Sequence, residues 1–131
     1  MIKQIPESIL FFVYGTLLKG EGNHRCLEGE NVEYCGKFET EPKYTMSNLG
    51  GFPAVHIGGD TSIKGELYKT TNPDVIRRVF RLEGFNGVKG DSENHFYDVT
   101  TFTTPKGEAT MFIFKDRSPR NIIKSGNWLN R

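Results

Sequence analysis

Cysteine is scarce in this chain. Cys26 and Cys35 are the only two among 131 residues. Two thiols cannot build a disulfide scaffold, and neither sits in a CxxC or HxxxH spacing that would mark a metal site. Both are expected as reduced thiols of a cytoplasmic protein. A long apolar run is also missing. Ile9 to Tyr14 is far shorter than the roughly 20 residues that span a bilayer, and no signal-peptide pattern precedes it. A membrane is therefore not an expected partner. An excess of one charge is missing too, since 17 Lys and Arg stand against 16 Asp and Glu. A near-neutral chain has no global drive toward nucleic acid or anionic lipid. Its Phe- and Tyr-rich segments are not rich in Lys or Arg, which argues against a small barrel that stacks nucleic acid on aromatics. Repeats, low-complexity tracts and domain-dividing linkers are absent.

What remains is an aromatic-rich chain, with ten Phe and five Tyr, of a length that suits one domain around one core. Ile9 to Tyr14 reads as a short central strand, apolar on both faces and ending at a Gly. Gly15 to Leu27 reads as loop with room for a helical turn. Val32 to Thr40, Lys43 to Asn48, Ala54 to Ile57 and Ile63 to Lys69 are further strand candidates, with a turn-rich link at Leu49 to Pro53. Phe96 to Thr103 and Ala109 to Phe114 form a candidate hairpin across Pro105-Lys106-Gly107. The tail after Asp116 reads as irregular, with Trp128 available to pin it.

One helix is well marked. Asn72 can cap it, Pro73 suits its first position and Asp74 its positive end. Gly84 then stops it. At about 100° per residue from Val75, the apolar side chains span ~340° (Leu82) to ~140° (Phe80), and Arg77, Arg78 and Arg81 lie at ~200–300°. The arginines read as a solvated face. Glu83 falls near ~80°, inside the apolar arc. A carboxyl turned into a core is costly when charged, so its pKa rises toward that of an acid/base working at neutral pH. Glu83 is also the last helical residue, where a side chain can turn to solvent; both readings stand at this point. A second segment, Tyr14-Gly15-Thr16-Leu17, leaves the first strand through a Gly. Its N–H groups can form an anion-binding nest or an ordinary turn.

Together these segments resemble the gamma-glutamylcyclotransferase-like family. That family carries a YGxL turn after its first strand and a helix-terminal Glu in a pattern like LxxLEGY, here Val79 to Phe85. Asn23-His24-Arg25, Gly51-Phe52-Pro53-Ala54, Gly65-Glu66-Leu67-Tyr68, Tyr97 and Ser125-Gly126-Asn127-Trp128 resemble further family segments in the same order. The resemblance thus covers nearly the whole chain. It implies an α+β fold, a mixed barrel-like sheet with one main flanking helix, in a single domain over residues 1–131. The Thr in Tyr14-Gly15-Thr16-Leu17 is similar to the short members rather than to the glutathione-specific ones, which tend to have Ser there.

The implied reaction is intramolecular: the α-amine of a γ-glutamyl amine attacks its own γ-amide carbonyl, giving 5-oxoproline and a free amine. Glu83 is the implied acid/base. Gly15, Thr16 and Leu17 are implied to hold the substrate's α-carboxylate through main-chain N–H groups, and Tyr14 and Tyr97 to line the pocket. No metal or cofactor is implied. The partner is a small γ-glutamyl substrate, with the leaving amine and the oligomeric state left open. His24 reads as structural because no carboxylate is evident to orient its ring, and His56 and His95 have no metal-ligand spacing. The chain departs from the pattern at Phe80, where the family often has Asp, and at Asp98 and Val99, where it often has Arg. Those departures favour the alternative, a non-catalytic member that binds a γ-glutamyl or amino-acid-like ligand or a protein partner.

Overall fold

The structure, a computed structural model, describes residues 2–91, 97–115 and 118–131. His95, the expected strand start at Phe96 and the expected tail start at Asp116 lie outside the described residues. The chain runs β1 (Ile9–Val13), β2 (Val32–Glu39), β3 (Tyr44–Asn48), β4 (Pro53–Ile57), β5 (Lys64–Thr70), α1 (Pro73–Glu83), β6 (Tyr97–Thr104) and β7 (Gly107–Phe114). Single 3-10 turns lie at His24–Leu27 and Trp128–Asn130. This is the α+β class expected, with one α-helix among the described residues.

The main sheet has the order β2-β5-β1-β7-β6, and β3 and β4 form a separate hairpin. The apolar β1 is central, antiparallel to β5 and parallel to β7, so the sheet is mixed. Leu10, Phe11, Phe12 and Val13 are all buried, as a strand covered on both faces requires. β4 packs against β7, so hairpin and sheet wrap one core in a barrel-like arrangement. Phe11 meets Phe80 of α1 edge-on at 6.2 Å and stacks on Phe112 of β7 at 6.2 Å. This aromatic contact ties the helix to the centre of the sheet.

The helix starts and stops for local reasons. Asn72 Oδ1 accepts from the N–H of Asp74 and Val75 at 3.0 and 3.4 Å, satisfying donors that a first turn leaves free. At the other end Gly84 adopts the left-handed region, φ +67°. The Phe85 N–H reaches back to the Phe80 carbonyl at 2.9 Å. Phe85 is buried and packs on the Phe80 ring at 5.1 Å, the apolar contact that accompanies this type of helix stop. Gly84 thus turns the chain immediately after Glu83, and the Glu83 side chain projects from a rigid helix end.

The C-terminal segment is less irregular than its composition suggests. Trp128 is buried and pins it, as expected. Ile122 bridges to Ser47 of β3, and the Ile123 N–H donates to the Met46 carbonyl at 2.9 Å. The tail therefore runs along the hairpin, not free of it.

Candidate active site

The Tyr14-Gly15-Thr16-Leu17 turn is wired from several sides. The Leu18 N–H closes the turn on the Gly15 carbonyl at 3.0 Å. Asn23 grips Thr16 twice, backbone N–H to carbonyl and Nδ2 to Oγ1, both at 2.9 Å. His24 donates from Nδ1 to the Leu17 carbonyl at 2.9 Å, which bears out its structural reading. The buried Glu66 accepts from the Lys19 N–H at 3.0 Å and from the Tyr68 hydroxyl at 2.9 Å. By contrast, the backbone N–H groups of Gly15, Thr16 and Leu17 meet no protein acceptor among the described residues. Gly15 is needed for a reason that the sequence did not indicate: a Cβ there would lie 2.6 Å from Cγ and 2.7 Å from Cδ of Pro53. Its missing side chain admits the Pro53 ring of the neighbouring hairpin.

This turn, the end of α1 and the start of β6 face one cavity of about 550 Å³. Tyr14, Gly15, Thr16, Leu17, Glu83 and Tyr97, the site residues expected from the sequence, all line it. Glu83 is the one acidic residue in that lining among the described residues. It is half-buried, touching the cavity while protein shields it from bulk water, and that desolvation pushes its pKa up to about 7. No hydrogen-bond or ion-pair partner holds its carboxyl among the described residues. Tyr14 and Tyr97 are both raised by burial; the other's hydroxyl and Glu83 add to this for Tyr14, and Glu83 adds to it for Tyr97. Their protons therefore stay on, and both phenols remain neutral beside the carboxyl.

The two tyrosines differ in what they are free to do. The Tyr14 hydroxyl donates to the Phe112 carbonyl at 2.8 Å and is buried. The Tyr97 hydroxyl has only a long contact, 3.4 Å, to the Pro53 carbonyl, and its ring stands edge-on to Phe114. Tyr14 is thus committed to the frame, whereas Tyr97 can turn its hydroxyl to a ligand.

Other lining residues were not indicated by the sequence. Leu49, Phe52 and Leu82 bring apolar surface to the cavity, with Phe52 and Leu82 exposed at its mouth. Leu82 belongs to the apolar arc of the wheel yet is 42% exposed, because the helix ends there and its side chain meets the cavity in place of the core. Arg77, Arg78 and Arg81 are all exposed, as a solvated face requires, and Arg81 also lines the cavity. Arg77 pairs with Asp74 at 3.6 Å, and Arg78 donates to the Cys26 and Glu28 carbonyls. Arg120 reaches the cavity from the tail, and nothing local in the sequence marks it. Among the described residues no three His, Cys, Asp or Glu side chains gather as a metal site would require. No helix among them is long and apolar enough to cross a membrane.

A family model described as gamma-glutamyl cyclotransferase, AIG2-like, matches residues 11–130. The chain belongs to that family. The match contains both the Tyr14-Gly15-Thr16-Leu17 turn and Glu83. A Vibrio cholerae serotype O1 protein carrying the name "Putative gamma-glutamylcyclotransferase" is 32% identical over 123 residues, 93% of this chain and 96% of its own. Among solved structures, an uncharacterized protein from Pyrococcus horikoshii superposes with a TM-score of 0.71 at 24% identity, over 92% of this chain and 89% of its own. An AIG2-like protein from Mus musculus does so with a TM-score of 0.61 at 19% identity, over 85% and 78%. These structural likenesses establish the fold. The family's frequent Asp is replaced here by Phe80, which is buried among Phe11, Phe85 and Phe112. Asp98 accepts from the Gly90 and Val99 N–H groups, the latter at 2.8 Å. Both departures thus serve local structure in this chain.

Proposed function

We propose that this protein cyclises a γ-glutamyl amine to 5-oxoproline and releases the amine, with Glu83 as the proton shuttle. The observation that carries the reading is the pairing, across one cavity, of a carboxyl raised to about 7 with three main-chain N–H groups, none of which has a partner among the described residues. A carboxyl in that range is charged often enough to accept a proton at neutral pH and acidic enough to return it. The Gly15, Thr16 and Leu17 N–H groups take the substrate's α-carboxylate. Glu83 removes a proton from the α-ammonium, and the freed amine attacks the γ-carbonyl carbon. A new C–N bond forms and the carbonyl oxygen becomes negative. Glu83 then gives its proton to the leaving nitrogen, the old C–N bond breaks and the carbonyl re-forms. The second proton on the new ring nitrogen passes through Glu83 to the released amine, which leaves as an ammonium. Holding the curled conformer lowers the entropic barrier to ring closure. Cys26 and Cys35 are free thiols, which suits a reducing compartment such as the cytoplasm.

A second reading is a binding protein of the same fold, favoured by the replacement of the family's frequent Asp with Phe80. One experiment separates the two. A panel of γ-glutamyl amines is assayed for 5-oxoproline with wild type and Glu83→Gln, and affinity for the same compounds is measured in both. Turnover that falls ~10²–10⁴-fold in the variant with affinity retained supports the shuttle. Equal turnover clears Glu83 of the role. Binding without turnover in either supports the second reading.

A further inference from the structure

Among the described residues, Arg81 and Arg120 are the cations that line the cavity, and they arrive from unrelated parts of the chain. Arg81 sits in the last turn of α1, two residues before Glu83. Arg120 sits on the tail segment, anchored where its backbone N–H donates to Ser47 Oγ at 3.0 Å. That anchor is itself held, because Ser47 is fully buried and its Oγ hydrogen-bonds His56 Nε2 at 2.8 Å. The next residue strengthens it: the Asn121 carbonyl accepts from the Asn48 N–H at 3.0 Å. Arg120 is thus placed at the cavity by a built structure.

Neither guanidinium has an acidic partner or a hydrogen-bond acceptor among the described residues. Arg77, Arg78 and Arg131 each spend theirs, on Asp74, on the Cys26 and Glu28 carbonyls, and on the Trp128 carbonyl. Both Arg81 and Arg120 are exposed, and the cavity's single described carboxyl is held toward its neutral form by desolvation. Two cations without an acidic partner among the described residues, lining a cavity whose one described carboxyl is Glu83, favour a ligand that brings negative charge there. The α-carboxylate has donors of its own at the Gly15 to Leu17 turn. The charge that meets the arginines is therefore on the other half of the ligand.

We propose that Arg81 and Arg120 are specificity-determining residues, selecting γ-glutamyl amines whose leaving half carries a carboxylate or other anionic group over those whose leaving half is neutral. This rests on the cyclisation reading above. Exposed apolar neighbours Phe52 and Leu82 suit the short carbon skeleton joining the amide to that anionic group.

The test compares γ-glutamylglycine with γ-glutamylethylamide, which are close in size but differ in one carboxylate. Wild type, Arg81→Gln, Arg120→Gln and the double variant are measured with both. Wild type is expected to favour the charged compound about tenfold in kcat/KM, a preference that shrinks as salt is raised. Each single variant should lose several-fold more on the charged compound than on the neutral one, and the double variant should lose the preference. Equal losses on both would assign the arginines to the shared γ-glutamyl half and overturn the proposal, as would no preference in wild type. If wild type turns over neither compound, the cyclisation reading fails, but calorimetric affinities for the same pair still decide. A charged-over-neutral preference that the variants erase supports the arginine assignment. Equal affinities, or no binding of either, overturn it.

Discussion

Gly15 lies so close to Pro53 that a methyl group added to it would come within 2.6 Å of the proline ring. A proline ring cannot swing aside as a long side chain can. Gly15→Ala must therefore push the turn away from the hairpin, an overpacking change that costs about 1–3 kcal/mol. Urea denaturation should show the loss. Pro53→Ala removes the opposing carbons, so the double variant should recover much of it; additive losses would place the strain elsewhere.

The raised pKa of Glu83 makes a stability prediction of definite sign. Folding raises this pKa from 4.5 to about 7, so between those values the folded state holds more protons than the unfolded one. Its contribution is fully present below about 4.5, declines as pH rises to about 7 and is constant above. Glu83→Gln has no such titration. The stability of the variant relative to wild type should thus increase from pH 4.5 to 7 by up to a few kcal/mol. A difference independent of pH in parallel urea titrations would contradict the burial argument.

The tyrosines should separate stability from binding. Tyr14→Phe strands the buried Phe112 carbonyl and should cost about 1–3 kcal/mol. Tyr97→Phe gives up only a 3.4 Å contact, so its melting temperature should hardly move while affinity for a γ-glutamyl ligand falls. Thermal melts and ligand titrations on the two variants check this, and a reversed pattern would exchange the roles assigned to the hydroxyls.

Ser47→Ala removes the hydroxyl that accepts the Arg120 N–H and partners His56, and should cost about 1–3 kcal/mol. Burial lowers the His56 pKa. That contribution is present above about 6.5 and lost as pH falls through the lowered value, the opposite direction to Glu83. Denaturation of wild type and His56→Gln across pH 5 to 7 should show the variant losing less on acidification.

What could be read from the sequence was local. The Asn72 cap, Pro73, the wheel and Gly84 delimit α1 as Pro73–Glu83, because each signal acts within a turn of the helix. The apolar run of β1 identifies a central strand, since only burial on both faces tolerates it. The hairpin of β6 and β7 closes more tightly than expected, with Thr104 opposite Gly107, because Gly107 takes φ +118°. The wheel placed Glu83 among apolar residues but could not say whether core or cavity lay opposite. That depends on Leu49 to Pro53 and on the β6 start, which meet the helix end only after folding. Arg120 was illegible for the same reason. Its position is set by Ser47, 73 residues away, and no periodicity records such a pairing.

The parallel pairing of β1 with β7, registered at Phe11 and Thr110, sets the order in which the cavity can be assembled during synthesis. Tyr14 leaves the ribosome early, but the carbonyl that fixes its hydroxyl belongs to Phe112, 98 residues later. Until β7 has been made, β1 has β5 on one side and an open edge on the other. Unpaired apolar edges favour misassociation in a growing chain, and a strand waiting for so distant a neighbour folds slowly. The nascent protein thus holds the Tyr14 to Leu17 turn and Glu83 well before it can hold a ligand between them.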